Sequence, residues 1–416
     1  LLNAGEKLLL ARLAVFRGGC SLETAEAICA GDLPIAVLDG LASLVDKSLV
    51  QYTQLSEGGA RFTLLEMIRE YAREQLEAGN GMAALRKRHT AYFVDLAERA
   101  EVELRGPRQK HWFHLLETEI DNLRAALERS LKDGDITDGI RIISGTLHYW
   151  HIYGRQAEGI RWTEHLLARQ EEAPPTLQVR LLRSAARLLY YRDNAAAERL
   201  IRQALPIARE HGDKAQISWV LFTLGAYGTT SPSQWQVDAL AEAQSLFHEL
   251  DDQFGIAQIL NATGEFARLS GDEDSARRAY TASLAIYERL GDIRAQYSML
   301  YNLAFVAQHE GNHAEAIRIL LESLALCQEL GVPAEVANEL LAIAGSLGAV
   351  GDLVGAARLL GAADAFLQQS GALLDPNDQP EHDRNITFVR TALGAAAFAA
   401  AWAEGQDMTL EQAVAY

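Results

Sequence analysis

The chain has 416 residues, 49% of them apolar and 23% charged. That is too long for one ordinary core and too rich in apolar residues for a disordered chain. Its 38 basic and 56 acidic side chains leave a net charge of −18, which argues against a polyanion partner for the whole chain. Residues 251–416 hold nine basic against 23 acidic side chains. That reads as a solvated acidic surface, or as a half that selects cationic or neutral partners. No apolar run reaches the ~18 residues a bilayer span needs. Three cysteines (Cys20, Cys29 and Cys327) make no disulfide framework; a reducing compartment, and hence the cytoplasm, fits better. The chain opens on Leu1-Leu2-Asn3, already helix-like, and reads as a piece of a longer protein.

From the N-terminus, Leu8–Val15 predicts a buried helix. Ser21 caps a second over residues 21–29, and Pro34 opens a third, Ile35–Leu44. Two β-like runs, Ser48–Thr53 and Ala60–Leu64, flank a polar stretch with Gly58-Gly59 and read as a hairpin. A helix, Glu66–Glu77, follows. Three helices and a hairpin make a winged helix over 1–80. Its third helix offers Asp39 and Ser43 but no basic residue, so no direct DNA binding by this chain is expected. A helical linker is expected over 81–134, a repeat array over 135–370 and a helical cap over 371–416.

The array announces itself by a 20-residue beat. Gly271, Gly291, Gly311, Gly331 and Gly351 are evenly spaced, four of them followed by Asp or Asn. Glycine closes helices in the left-handed conformation, so each marks a helix end, and two helices make a 40-residue hairpin. Aligned units run Gly264…Gly271…Ala276…Tyr280, Ala304…Gly311…Ala316…Leu320 and Ala344…Gly351…Ala356…Leu360. Small residues recur where the paired helices cross. This pattern resembles tetratricopeptide repeats. The fold expected is mainly α, with the winged helix followed by a right-handed superhelix of about five to six hairpins.

The stretch Leu64-Leu65-Glu66-Met67-Ile68-Arg69-Glu70-Tyr71-Ala72 resembles the motif that closes the winged-helix domain of STAND-class signalling ATPases. Leu44–Val50, Trp112…Glu117–Leu127 and Phe398…Val414 look like bacterial regulators of the LuxR-like group that join such an ATPase to a repeat array. The resemblance implies a regulatory and sensor role in transcription, with Leu65, Glu66 and Arg69 as a switch. Leu65 stands where the family has a phosphate-touching His. ATP or ADP is implied for an upstream domain that docks in cis, not for this chain, which has no Gly-x-x-x-x-Gly-Lys loop. No nucleophile elbow or zinc motif occurs, so no enzyme activity is expected. His111/His114 and His148/His151 lack a third ligand in the sequence and read as packing residues.

If the first helix of each hairpin lines the concavity, repeat phase puts Trp219, Phe222, Gln258, Asn261, Glu265, Arg268, Tyr301, Phe305 and Gln308 inward. This Lys-poor set fits a neutral or mixed-polarity ligand, an inducer molecule or a peptide or protein. The larger aromatics also fit packing between hairpins. A protein–protein scaffold with no small ligand is the alternative function. No membrane partner is expected.

Overall fold

The computed structural model describes residues 2–55, 59–78, 81–132, 135–190, 192–226, 233–370, 374 and 378–416. Gly58 of the expected hairpin loop lies outside them. The chain divides into two units: residues 1–100 with 113–146, and residues 101–112 with 147–416.

In the first unit, α1 (Ala4–Leu13) starts at a capping box in which Asn3 and Glu6 satisfy each other's backbone N–H groups. Next come α2 (Leu22–Cys29), capped by Ser21, and α3 (Val37–Asp46). The third helix starts later than Pro34 and Ile35 suggested. Ile35 packs instead against Gly5 and Gly40, and Ala36 is the extended residue before the helix. Strands β1 (Gln51–Gln54) and β2 (Ala60–Thr63) pair antiparallel, Tyr52 opposite Phe62. Cys20 adds a one-residue bridge to Phe62. Helix α4 (Glu66–Ala78) follows and packs on α1. This is the winged helix, with α3 carrying Asp39 and Asp46 and no basic residue. The long helix α5 (Met82–Glu103), α6 (Gln109–Thr118), α7 (Ile120–Lys132) and α8 (Ile136–Gly145) come next.

The second unit continues with α9 (Leu147–Ile152) and α10 (Gln156–Leu167), then five helical hairpins. These are α11 (Pro175–Leu189) with α12 (Asn194–His211), α13 (Lys214–Ala226) with α14 (Gln234–Glu249), and α15 (Gln253–Leu269) with α16 (Glu273–Leu290). Then come α17 (Ile293–His309) with α18 (His313–Leu330), and α19 (Pro333–Ala349) with α20 (Leu353–Ser370). Each hairpin packs on the next, and the first helices of successive hairpins also touch one another. Theirs is therefore the inner, tighter layer of a superhelix that resembles tetratricopeptide arrays. Three helices close the chain: α21 (Gln379–Leu393), α22 (Ala395–Gln406) and α23 (Leu410–Ala415). No helix among the described residues is long and apolar enough to cross a membrane.

The 20-residue beat is a beat of left-handed turns. Gly271, Gly291, Gly311, Gly331 and Gly351 have φ between 71° and 101°. Asp251, one step upstream, takes φ 53° without being glycine. The following Asp252, Asp272, Asp292, Asn312 and Asp352 each accept a backbone N–H three residues on. One dipeptide thus ends a helix and caps the next.

Two kinds of glycine substitution should part company. A Cβ at Gly311 would meet nothing within 4 Å, so Gly311→Ala should cost about 1 kcal/mol through φ alone. A Cβ at Gly264 would sit 2.6 Å from the Tyr280 ring, so Gly264→Ala should cost more, about 1–3 kcal/mol, by overpacking. Denaturant melts of both variants check the order.

Candidate functional site

In the first unit, the turn between α1 and α2 is tied to the wing by a buried polar network. Arg61 on β2 donates to the carbonyls of Gly18 and Gly19 and pairs with Glu119 at 2.8 Å. Asn122 donates to Gly19 O and Glu119, and accepts from the Arg17 N–H. His89 lies 3.3 Å from Asn122, and burial holds its pKa well below the usual range, so it is a neutral hydrogen-bonding partner. The Glu119-Ile-Asp-Asn122 run is therefore the clasp that holds the wing to α7. Glu119→Ala would strand a buried guanidinium and should cost about 3–5 kcal/mol in a denaturant melt, against near-neutral loss for the exposed Glu66→Ala.

The expected switch sits at the β2–α4 junction. Leu65 is half exposed, and Glu66 and Arg69 form an i,i+3 ion pair at 2.5 Å. Arg69 also borders a cavity of about 20 Å³ under Cys20 and Phe62, room for one water. Met67 and Tyr71 stand well exposed on the same helix.

The inner face of the second unit is already occupied. At its N-terminal end lies the segment Glu101–Trp112. The Arg105 guanidinium sits 5.3 Å from the Trp219 ring and 4.8 Å from Phe254. Arg183 approaches Trp219 at 5.5 Å. Pro107 packs on Gly291, and buried Gln109 donates to Asp292 while accepting from the Arg294 N–H. Glu101 accepts from Arg180.

At its C-terminal end lies α21. Asp378, just before the helix, pairs with buried Arg268 at 3.1 Å. Burial works against the Arg268 charge, but Glu265 and Asp378 outweigh it and raise its pKa. Arg268 also pairs with Glu265 and lies over the Phe305 ring. Glu381 meets His309, which in turn meets Glu273. His382 faces the Tyr301 hydroxyl at 3.3 Å. Asn385 and Val389 lie over Gly345 and Gly348 of α19.

So the residues the repeat phase selected divide. Trp219 and Phe222 join Phe247 and Phe254 in an aromatic cluster under Arg105. Arg268, Tyr301 and Phe305 meet α21, and Glu265 reaches it through Arg268. Asn261 accepts from Asn302 on the neighbouring first helix, and buried Gln308 bonds Ala342 and Ser346 on the next. Gln258 is partly exposed. The two covering segments were invisible to the phase argument, because their partners lie 110 and 183 residues away in sequence. The mid-helix glycines Gly345 and Gly348 were the one local hint.

Among the described residues, no three metal-binding side chains gather. His151 sits 2.7 Å from an Arg187 nitrogen, and burial, then Arg187, lowers its pKa well below the usual range.

Residues 2–77 match the family described as the winged helix-turn-helix domain. The chain is 33% identical over 355 residues to a protein of Mycobacterium tuberculosis (strain ATCC 25618 / H37Rv) provisionally named an HTH-type transcriptional regulator. A Mycobacterium bovis protein of the same kind matches equally. The match covers 82% of this chain and 38% of the relative, so the chain spans well under half of the curated relatives it matches. Among solved structures it is similar to a STAND protein with a tetratricopeptide repeat sensor from Pyrococcus horikoshii (TM-score 0.48, 14% identity, 99% of this chain and 64% of that one). It is likewise similar to a Rap protein complexed with competence and sporulation factor (TM-score 0.48, 14% identity, 76% of this chain and 99% of that one). Likenesses this distant say nothing about ligands.

The His309 bridge sets a pH dependence. Hydrogen bonding to Glu381, and next to Glu273, raises the His309 pKa above 6.5 despite burial. Its contribution is complete below pH 6.5 and is lost as pH rises through the raised value. Glu381, held by His309 at about 2, contributes above pH 4.5 and loses its part only as pH falls toward 2. His382, pushed by burial to about 4, costs stability as pH falls from 6.5 toward 4; His89, His148 and His151, also lowered by burial, act in the same acid range. Between pH 6.5 and 8 the stability advantage of wild type over His309→Gln should therefore shrink, read as the difference between their melting temperatures at the two pH values.

Proposed function

We propose that this chain is the sensor and relay portion of a transcriptional regulator. The inner face of the repeat array receives an inducer or partner, and the winged helix passes the event to an ATPase domain outside this chain. The observation that carries this reading is the inner face itself. Polar and charged side chains (Glu265, Arg268, Tyr301, His309) converge there from successive first helices and are met by a polar helix, not by apolar core. Such convergence suits recognition, since buried polar groups discriminate sharply between a partner that satisfies them and one that does not. The 33% identity to mycobacterial proteins provisionally named transcriptional regulators supports the regulatory part.

In the relay, Leu65, Glu66 and Arg69 act at the β2–α4 junction, with the exposed Met67 and Tyr71 beside them. A charge pair at such a junction can bias a two-state element.

A thermal-shift screen against metabolites and peptides tests the sensor. A ligand at a hundredfold excess over its Kd should add about 2.7 kcal/mol of apparent stability. Asn261→Ala and Tyr301→Ala should each weaken that shift while helicity persists. If both variants keep the full shift, the ligand does not use this face.

A further inference from the structure

We propose that the groove floored by α15, α17 and α19 is a receptor for a mixed-polarity amphipathic helix of a partner protein, and that α21 fills it as a displaceable internal occupant. This rests on the reading of the inner face as the partner site and names the partner's class.

Apart from its packing on α20 and α22, α21 and its N-cap meet the first helices at Asp378, Glu381/His382, Asn385 and Val389. That is the spacing of a single helical stripe, the pattern by which a helix lies in a groove. It crosses three first helices in order: Arg268 on α15, Tyr301 and His309 on α17, Gly345 and Gly348 on α19.

The floor is cut to fit a helix. Gly345 and Gly348 lie inside α19, where each glycine weakens the helix by about 0.5–1 kcal/mol relative to alanine. A Cβ at Gly345 would come 2.4 Å from Asn385 Nδ2, and one at Gly348 would come 2.8 Å from Val389 Cγ2. The glycines make room for whatever helix lies there.

The occupant is lightly held. Within α21 only His382 and Val389 are buried, whereas α16 and α18 bury six and seven residues each. Little apolar area leaves water when α21 seats, and segments with few buried contacts open before the rest of a fold. Its anchoring groups (a carboxylate on Arg268, a second on His309, an apolar side chain over Gly348) can be supplied by another helix. The partner is thus a helix with acidic residues at its start and one turn on, and a valine-sized residue two turns further.

The probe is a fluorescein-labelled peptide of residues 378–394, titrated by anisotropy into the full chain. Val389→Asp and Glu381→Arg on the chain should each release α21 and tighten peptide binding at least tenfold over wild type, because an internal competitor reduces apparent affinity by the free fraction. Adding Gly345→Leu to either variant should abolish binding, as should making the two release changes in the peptide. Circular dichroism monitors folding, and Glu381→Arg, near the edge of the contact, serves if Val389→Asp unfolds. Equal affinity in wild-type and released chains overturns the proposal, as does equal binding of the altered peptide. Conversion of the chain to a dimer that exchanges α21 also overturns it, by making a second copy the occupant. The peptide is the chain's own sequence, so the result is independent of whether an inducer is found.

Discussion

A two-helix hairpin cannot bury its own apolar stripe, and the second unit follows from that constraint. Each hairpin covers its predecessor, so the helices have similar lengths and the turns are tight. Residues in left-handed geometry supply the turn, and the next residue's carboxylate or amide caps the following helix. Where the beat lacks glycine, Asp251 bears the strain. Stacking then places the first helices side by side and leaves their outer stripe facing a concavity. Toward its C-terminal end that concavity presents polar residues such as Arg268, Tyr301 and His309, where a wholly apolar stripe without a fixed neighbour would invite aggregation.

That concavity needs partners of its own, and the chain provides them. Buried Arg268 is tolerable only because Glu265 and Asp378 flank it, since an uncompensated buried charge costs several kcal/mol. Gln109 similarly completes the start of α17 with Asp292. Arg105 rests on Trp219 and Phe254, where its charge meets two ring faces. The two covering segments differ in grip. The Glu101–Trp112 segment inserts a buried amide and a proline, whereas α21 lays a thin polar stripe across the floor.

Much of the fold was legible because its signals are local. Glycine spacing, aspartate caps and the small crossing residue Gly264 act within one hairpin, and the structure has Tyr280 filling the space that Gly264 leaves. The winged helix was legible by the same logic, though Ile35 packs on Gly5 and Gly40 ahead of the helix that Pro34 suggested it would open. What the sequence could not display was long-range pairing. Glu119 and Asn122 were visible only as part of a familiar run; their role as the clasp on Arg61 and on Gly19 depends on contacts 58 and 103 residues apart. Repeat phase likewise pointed to an inward stripe, but not to the helix lying on it.

A helix-receiving groove on the inner face requires that its own occupant come and go without unfolding the array. Native-state hydrogen exchange, read amide by amide, addresses it most directly. Amides of α21 should exchange through a local opening, at far lower free energy than those of α17 and α19, with a denaturant dependence too shallow for global unfolding. Amides of α21 that exchange only with the global opening, in step with α17 and α19, would contradict it and make α21 a fixed part of the core.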